Sequence, residues 1–160
     1  MIFDSEIYKF MYEALKEAEI ALDEDEVPVG AVVVHKNRII GRGHNQVERL
    51  KDPTAHAEII AITAACDHLK SKFLNDCRIF VTLEPCLMCA GALIHSRIDE
   101  IYFATMEPKT GACGTLYNIP EDKRLNFNPI VYSGIYEKEA QFLLQQFFEK
   151  KRKNKDFFHE

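Results

Sequence analysis

Apolar residues recur at helical spacing from Ile7 through Met11, Ala14, Leu15, Ala18 and Leu22, with Lys9, Glu13, Lys16 and Glu17 mostly on the other side. This pattern predicts an amphipathic helix over residues 4–22, with Asp4 as N-cap and the acidic turn Asp23-Glu24-Asp25-Glu26 as its end. Two β-rich runs, 29–34 and 38–42, flank His35-Lys36-Asn37 and predict a hairpin. Asp52-Pro53-Thr54 is a helix-start signal, and residues 55–69 form the second predicted helix, with Ile59, Ile60, Ile62 and Ala65 as its apolar positions. Residues 78–83 are almost wholly apolar and predict a buried strand running into a helix over 85–96. A fourth strand is expected at 100–104, so strand, helix and strand make a parallel crossover unit. A loop with Pro108, Gly111 and Gly114 covers 105–128, a fifth strand spans 130–133, and a last helix spans 137–153. That helix sets Ala140, Leu143, Leu144, Phe147 and Phe148 on its inner face. The fold class is α/β, a three-layer α/β/α arrangement around a mixed five-stranded sheet, with residues 1–160 as one domain.

Composition changes this picture little. The chain is 47% hydrophobic and 28% charged, which fits a soluble globular domain and excludes a disordered one. No apolar run reaches the length of a membrane span, and residues 1–6 have no basic or continuously apolar stretch of a signal peptide, so a cytoplasmic protein without membrane contact is expected. Five cysteines, an odd number, point to a reducing compartment and metal-binding or buried thiols, not to a disulfide framework. Cys66, Cys77 and Cys113 read as small core side chains. The net charge of −5 does not advertise a nucleic-acid binder, yet residues 150–160 hold five basic side chains against two acidic ones. This basic helix end, from about residue 149, reads either as a phosphate-contacting arm or as a solvated helix terminus. Arg42, Arg49 and Lys109 are expected to extend it into a basic strip.

Candidate chemistry centres on Cys86 and Cys89. Pro85 suits a first helical position, and residues three apart share a helix face, so both sulfurs reach one ion. A helix N-terminus also favours the thiolate. His56 as third ligand makes a Cys2His zinc site with an open fourth position, the arrangement of catalytic zinc. The competing readings are a closed structural zinc site and a redox dithiol. His56 and Glu58 would point about 200° apart on a regular helix, so they converge only if His56 sits at the irregular helix start. Zinc lowers the pKa of bound water to about 7. Glu58, close by and not a ligand, would accept its proton and deliver it to a leaving group. Such a site suits hydrolytic attack on an electron-poor carbon with loss of an amine.

His56-Ala57-Glu58 with Pro85-Cys86-Leu87-Met88-Cys89 resembles the zinc-dependent cytidine/deoxycytidylate deaminase superfamily. Longer stretches look like its bacterial tRNA adenosine deaminase branch: residues 27–31, His44-Asn45, 52–59, 82–92 and 109–114. The resemblance implies conversion of the wobble adenosine of a tRNA-Arg anticodon stem-loop to inosine by a homodimer. It implies one Zn2+ per subunit on His56, Cys86 and Cys89, with Glu58 catalytic. Asn45 and Val29 would contact the flipped base, and Ala57, Glu84, Lys109 and Asn128 complete the implied substrate-binding set. Glu84 reads equally as an acceptor supporting the metal site or as a structural residue. Glu107, Thr115 and Pro129 depart from the usual family pattern. The alternatives are a deaminase of a free base or nucleotide (guanine, cytosine or dCMP) and a silent RNA-binding subunit that keeps zinc for folding. His35 reads as a hairpin-turn side chain, His68, His95 and His159 carry no partner pattern, and Phe157 and Phe158 are either RNA-stacking or terminal residues.

Overall fold

Asp4 caps the first helix, α1 (Ser5–Asp23), by accepting a hydrogen bond from the Glu6 N–H. The structure, a computed structural model, describes residues 2–157; Phe158 and His159 lie outside the described residues. The hairpin follows as β1 (Gly30–His35) and β2 (Arg38–His44), closed by Lys36 and Asn37. Both turn residues have positive φ, the conformation that matches the twist of a two-residue hairpin loop. Next come a one-turn helix α2 (Val47–Leu50), α3 (Ala57–Leu69), β3 (Cys77–Leu83), α4 (Leu87–His95), β4 (Glu100–Thr105), β5 (Ile130–Ser133) and α5 (Glu137–Phe157). Strand order is β2-β1-β3-β4-β5, with β1 antiparallel to both neighbours and β3, β4 and β5 parallel.

Strand alternation sends side chains to two cores. Val32, Val34, Phe80 and Tyr102 pack with α1 and α5 on one face. Val33, Ile79, Val81, Ile101 and Phe103 pack with α3 and α4 on the other, which gives the three layers. Phe80, Tyr102 and Tyr132 occupy one register across β3, β4 and β5 and stack with ring centroids 4.6 and 4.8 Å apart.

Several elements differ from the sequence pattern. The buried face of α3 is Ala57, Glu58, Ala61 and Ala65, while the isoleucines are half-buried. The cause lies in β2: a Cβ on Gly41 would fall 2.4 Å from the Ala61 carbonyl oxygen, and one on Gly43 would fall 2.3 Å from that of Ala57. The helix therefore lies so near the sheet that only alanine fits between. Pro85 is not the first residue of α4; Cys86 is the N-cap with extended backbone, so Pro85 precedes the cap. Phe148 is 49% exposed, leaving Ala140, Leu143 and Phe147 as the buried side of α5.

Candidate zinc site and active-site cavity

His56 is the N-cap of α3, with φ −75° and ψ 154°, so it stands outside the helical rotation that Glu58 follows. This removes the angular conflict between residues two apart. The Asp52 carboxylate accepts from the Thr54 N–H and hydroxyl, making the turn that delivers His56 to the cap. His56 Nδ1 lies 3.7 Å from Cys86 Sγ and 3.5 Å from Cys89 Sγ. Ligand atoms of all three residues lie within 4.8 Å of one another. Tetrahedral zinc, with Zn–N near 2.0 Å and Zn–S near 2.3 Å, separates nitrogen and sulfur ligands by about 3.5 Å, so the donor set fits that ion.

The two sulfurs differ in their electrostatics. The Cys86 thiol is drawn down to about 4, chiefly because Cys89 donates to it, with His56 adding to the effect against burial. Cys89 is pushed up by that same hydrogen bond and by burial, so the two thiols share one proton between them, and a metal held by both sulfurs would displace it. His56 is raised by its contact with Cys86. Glu58 is 4% exposed, and burial pushes its carboxyl up, as suits a group that must hold a proton in mid-reaction.

A cavity of about 800 Å³ opens over these residues, within the range of small-molecule clefts. His56, Ala57, Glu58, Cys86, Val29 and Asn45 are among the residues that line it. Asn45 is 8% exposed, and its Oδ1 is a buried acceptor with no partner among the described residues. An unpaired buried acceptor costs stability, so its placement on the cavity wall marks where a ligand N–H belongs.

Residues 4–105 match the model of the cytidine and deoxycytidylate deaminase zinc-binding region. The chain belongs to this family. It is 45% identical over 145 residues to a tRNA-specific adenosine deaminase of Aquifex aeolicus, covering 91% of this chain and 95% of that one. With the tRNA-specific adenosine deaminase of Bacillus subtilis it shares 43% identity over 146 residues, 91% of each chain. A solved structure from work on A-to-I editing by tRNA:A34 deaminases superposes with a TM-score of 0.82 at 42% identity, covering 85% of this chain and 99% of that one. Membership makes zinc the cofactor, and the His56, Cys86 and Cys89 cluster is where the chain would hold it.

Beyond this centre, the deaminase fold brings some of the expected residues to the cavity and leaves others away from it. Glu84 reaches the cavity wall, but its carboxylate is engaged by the 107–115 loop and not by a ligand position. Lys109 is exposed and outside the lining; its neighbour Thr110 lines the cavity instead. Asn128 is not brought to the cavity, because its Nδ2 donates to the Pro120 and Asp122 carbonyls within its own loop. Three members of the expected basic strip are ion-paired. Arg42 meets Glu13 at 2.9 Å and Glu17 at 3.5 Å, Arg49 meets Glu24 at 3.1 Å, and Lys151 meets Asp25 at 3.0 Å.

Sequence reasoning missed Glu26, Phe147 and Lys151, all of which line the cavity. Glu26 is 1% exposed and accepts the Glu48 and Arg49 N–H groups at 2.9 Å each, which holds α2 at the rim. An acidic run ending next to Val27-Pro28 was a signal for a turn, not for a buried anchor. Phe147 and Lys151 sit one helical turn apart on α5, where the pattern marked Phe147 for the packing face and Lys151 for the basic helix end, neither for a cavity.

Proposed function

We propose that this chain is a zinc-dependent hydrolase that converts adenosine to inosine at the wobble position of a tRNA-Arg anticodon. We propose further that it acts as a homodimer in the cytoplasm, with residues 1–160 as one deaminase domain. The observation that carries the reading is the meeting of a Cys2His donor set, whose His56 and Cys86 line the cavity, with the buried Glu58 carboxylate and the Asn45 acceptor on the same lining. Relatives at 45% and 43% identity named tRNA-specific adenosine deaminase support the choice of substrate.

When bound at His56, Cys86 and Cys89, zinc supplies a water whose pKa is lowered to about 7. Glu58 takes a proton from the attacking water as the new C–O bond forms at C6 of adenine. It returns that proton to the departing amine as the C6–N bond breaks, so adenosine and water become inosine and ammonia. Asn45 Oδ1 accepts from an N–H of the flipped base, and Val29 walls the pocket. Flipping costs a few kcal/mol, least in an exposed loop, which favours an anticodon over a duplex.

For the homodimer, α4 offers Leu87 at 52% exposure and Met88 at 36% to a second copy. Sedimentation of the zinc-loaded protein tests it, a monomer at micromolar concentration being the contrary result. The substrate is tested by incubating zinc-loaded protein with a tRNA-Arg anticodon stem-loop and digesting the RNA to nucleosides. Inosine is expected. Ammonia released from free guanine, cytosine or dCMP with none from RNA would move the assignment to a free-base or nucleotide deaminase.

A further inference from the structure

Glu84 lies between the end of β3 and the Cys86 turn, 2% exposed, and its carboxylate is spent entirely on one loop. Oε1 accepts from the Glu107 N–H at 3.2 Å and from the Thr115 hydroxyl. Oε2 accepts from the Cys113 N–H at 3.0 Å and the Thr115 N–H at 3.1 Å. Backbone contacts stitch the same loop to the metal-ligand turn: the Ala112 N–H donates to the Pro85 carbonyl at 2.9 Å, and Cys86 and Gly111 form an isolated antiparallel bridge. A Cβ on Gly111 would sit 2.5 Å from the Glu84 carboxyl carbon, so the loop rests directly on the carboxylate. Thr110, the next residue back, lines the cavity.

We propose that Glu84 is a positioning residue: it clamps the 107–115 loop so that the Thr110 wall stays in register with Cys86 when the RNA base enters. This rests on the RNA deaminase reading above. The chemistry of the clamp is specific. All four partners are donors, and three are backbone N–H groups that cannot turn to accept. A carboxylate answers them on both oxygens, whereas the amide of Gln sets an NH2 against at least one backbone N–H in either orientation. Asp keeps the charge and falls one methylene short. Thr115 supplies the single donor from a side chain, and Ser in its place keeps that hydroxyl.

The test uses zinc-loaded, full-length Glu84→Gln, Thr115→Val and Thr115→Ser, assayed for inosine in the tRNA-Arg anticodon stem-loop. Glu84→Gln is expected to raise KM about tenfold while kcat falls by about threefold or less, because a loose wall weakens binding more than proton transfer. Thr115→Val is expected to lie between Glu84→Gln and wild type, and Thr115→Ser above Thr115→Val. Cobalt-substituted wild type and Glu84→Gln should share one thiolate charge-transfer spectrum and bind one metal per chain. The Cys113 and Thr115 amides should lose hydrogen-exchange protection in Glu84→Gln. An unchanged KM with only a lowered Tm, or an altered cobalt spectrum with unchanged KM, overturns the proposal. Should Glu84→Gln fail to fold, Thr115→Val with the KM of Thr115→Ser overturns it instead. A wild type that makes no inosine defeats the functional reading alone; amide exchange then decides the clamp, and unaltered protection at Cys113 and Thr115 rejects it.

Discussion

At the scale of single residues, the site is governed by burial acting on groups of different chemistry. Glu58 is a nearly buried carboxylate whose charged form is disfavoured by desolvation. Glu58→Gln keeps its size and removes the charge. The variant is expected to retain zinc and to melt no lower than wild type, since no charge remains to be desolvated. Its inosine formation should drop by about 10²–10⁴. A Gln variant with most of the wild-type turnover would remove Glu58 from proton transfer. Among the five cysteines, burial sets Cys77 and Cys113 apart from Cys86, where the hydrogen bond from Cys89 outweighs it. Cys77 is pushed up to about 11 and Cys113 to about 12, in both cases mainly by burial. Cys86 is half-buried and drawn low. After zinc is chelated, iodoacetamide should label Cys86 first and Cys77 and Cys113 last, as read by peptide mass, and zinc should protect Cys86. Labelling of Cys113 ahead of Cys86 would contradict the arrangement of the thiols.

At the scale of elements, the position of α3 matters most, because its N-terminus carries His56 and Glu58. Gly41 and Gly43 let the helix backbone lie against β2. Gly43→Ala puts a methyl group against the Ala57 carbonyl, which cannot give way without moving the helix start. A loss of about 1–3 kcal/mol is expected from urea unfolding, together with weaker zinc binding by titration. A wild-type midpoint for this variant would mean that the helix has room to spare. The main elements were legible in the sequence because period and turn chemistry are local: Asp4 capping α1, the Lys36-Asn37 turn and the apolar β3 stand where the pattern put them. The misses have non-local causes. Helix α2 is a single turn held by Glu26 from more than twenty residues away, so its own four residues carry no signal. Glu84 could be read as a neighbour of the metal turn, but its four donors come from a loop more than twenty residues downstream. The metal cluster was legible because Cys-x-x-Cys fixes two sulfurs by short spacing and His-x-Glu ties a nitrogen ligand to a carboxylate, whereas Asn128 was placed by resemblance alone.

For the whole molecule, the question is how an acidic body takes an RNA. Both cations that line the cavity, Arg49 and Lys151, are tied to carboxylates, while Lys150, Arg152, Lys153 and Lys155 remain exposed on the last turns of α5. The wall residues Phe147 and Lys151 lie on that same helix, so one element both shapes the pocket and carries the basic end. Replacing these four exposed cations with Ala, one at a time, should weaken stem-loop binding and flatten its salt dependence. Each phosphate that is no longer neutralised should lower the slope of log K against log salt by about 0.7–0.9. A slope unchanged after all four replacements would separate the basic end from the RNA.

The β1–β2 hairpin carries a practical consequence. Its Gly30 end meets Val29 and Asn45 at the cavity, whereas His35 pairs with Cys77 at the start of β3, the end remote from Leu83 and the cysteine turn. Five residues of strand put the Lys36-Asn37 turn about 17 Å along the sheet from the chemistry. That turn is the natural attachment point for a fluorophore or a short peptide tag. An insertion between Lys36 and Asn37 should leave inosine formation within about twofold of the untagged enzyme, since surface loops tolerate added length.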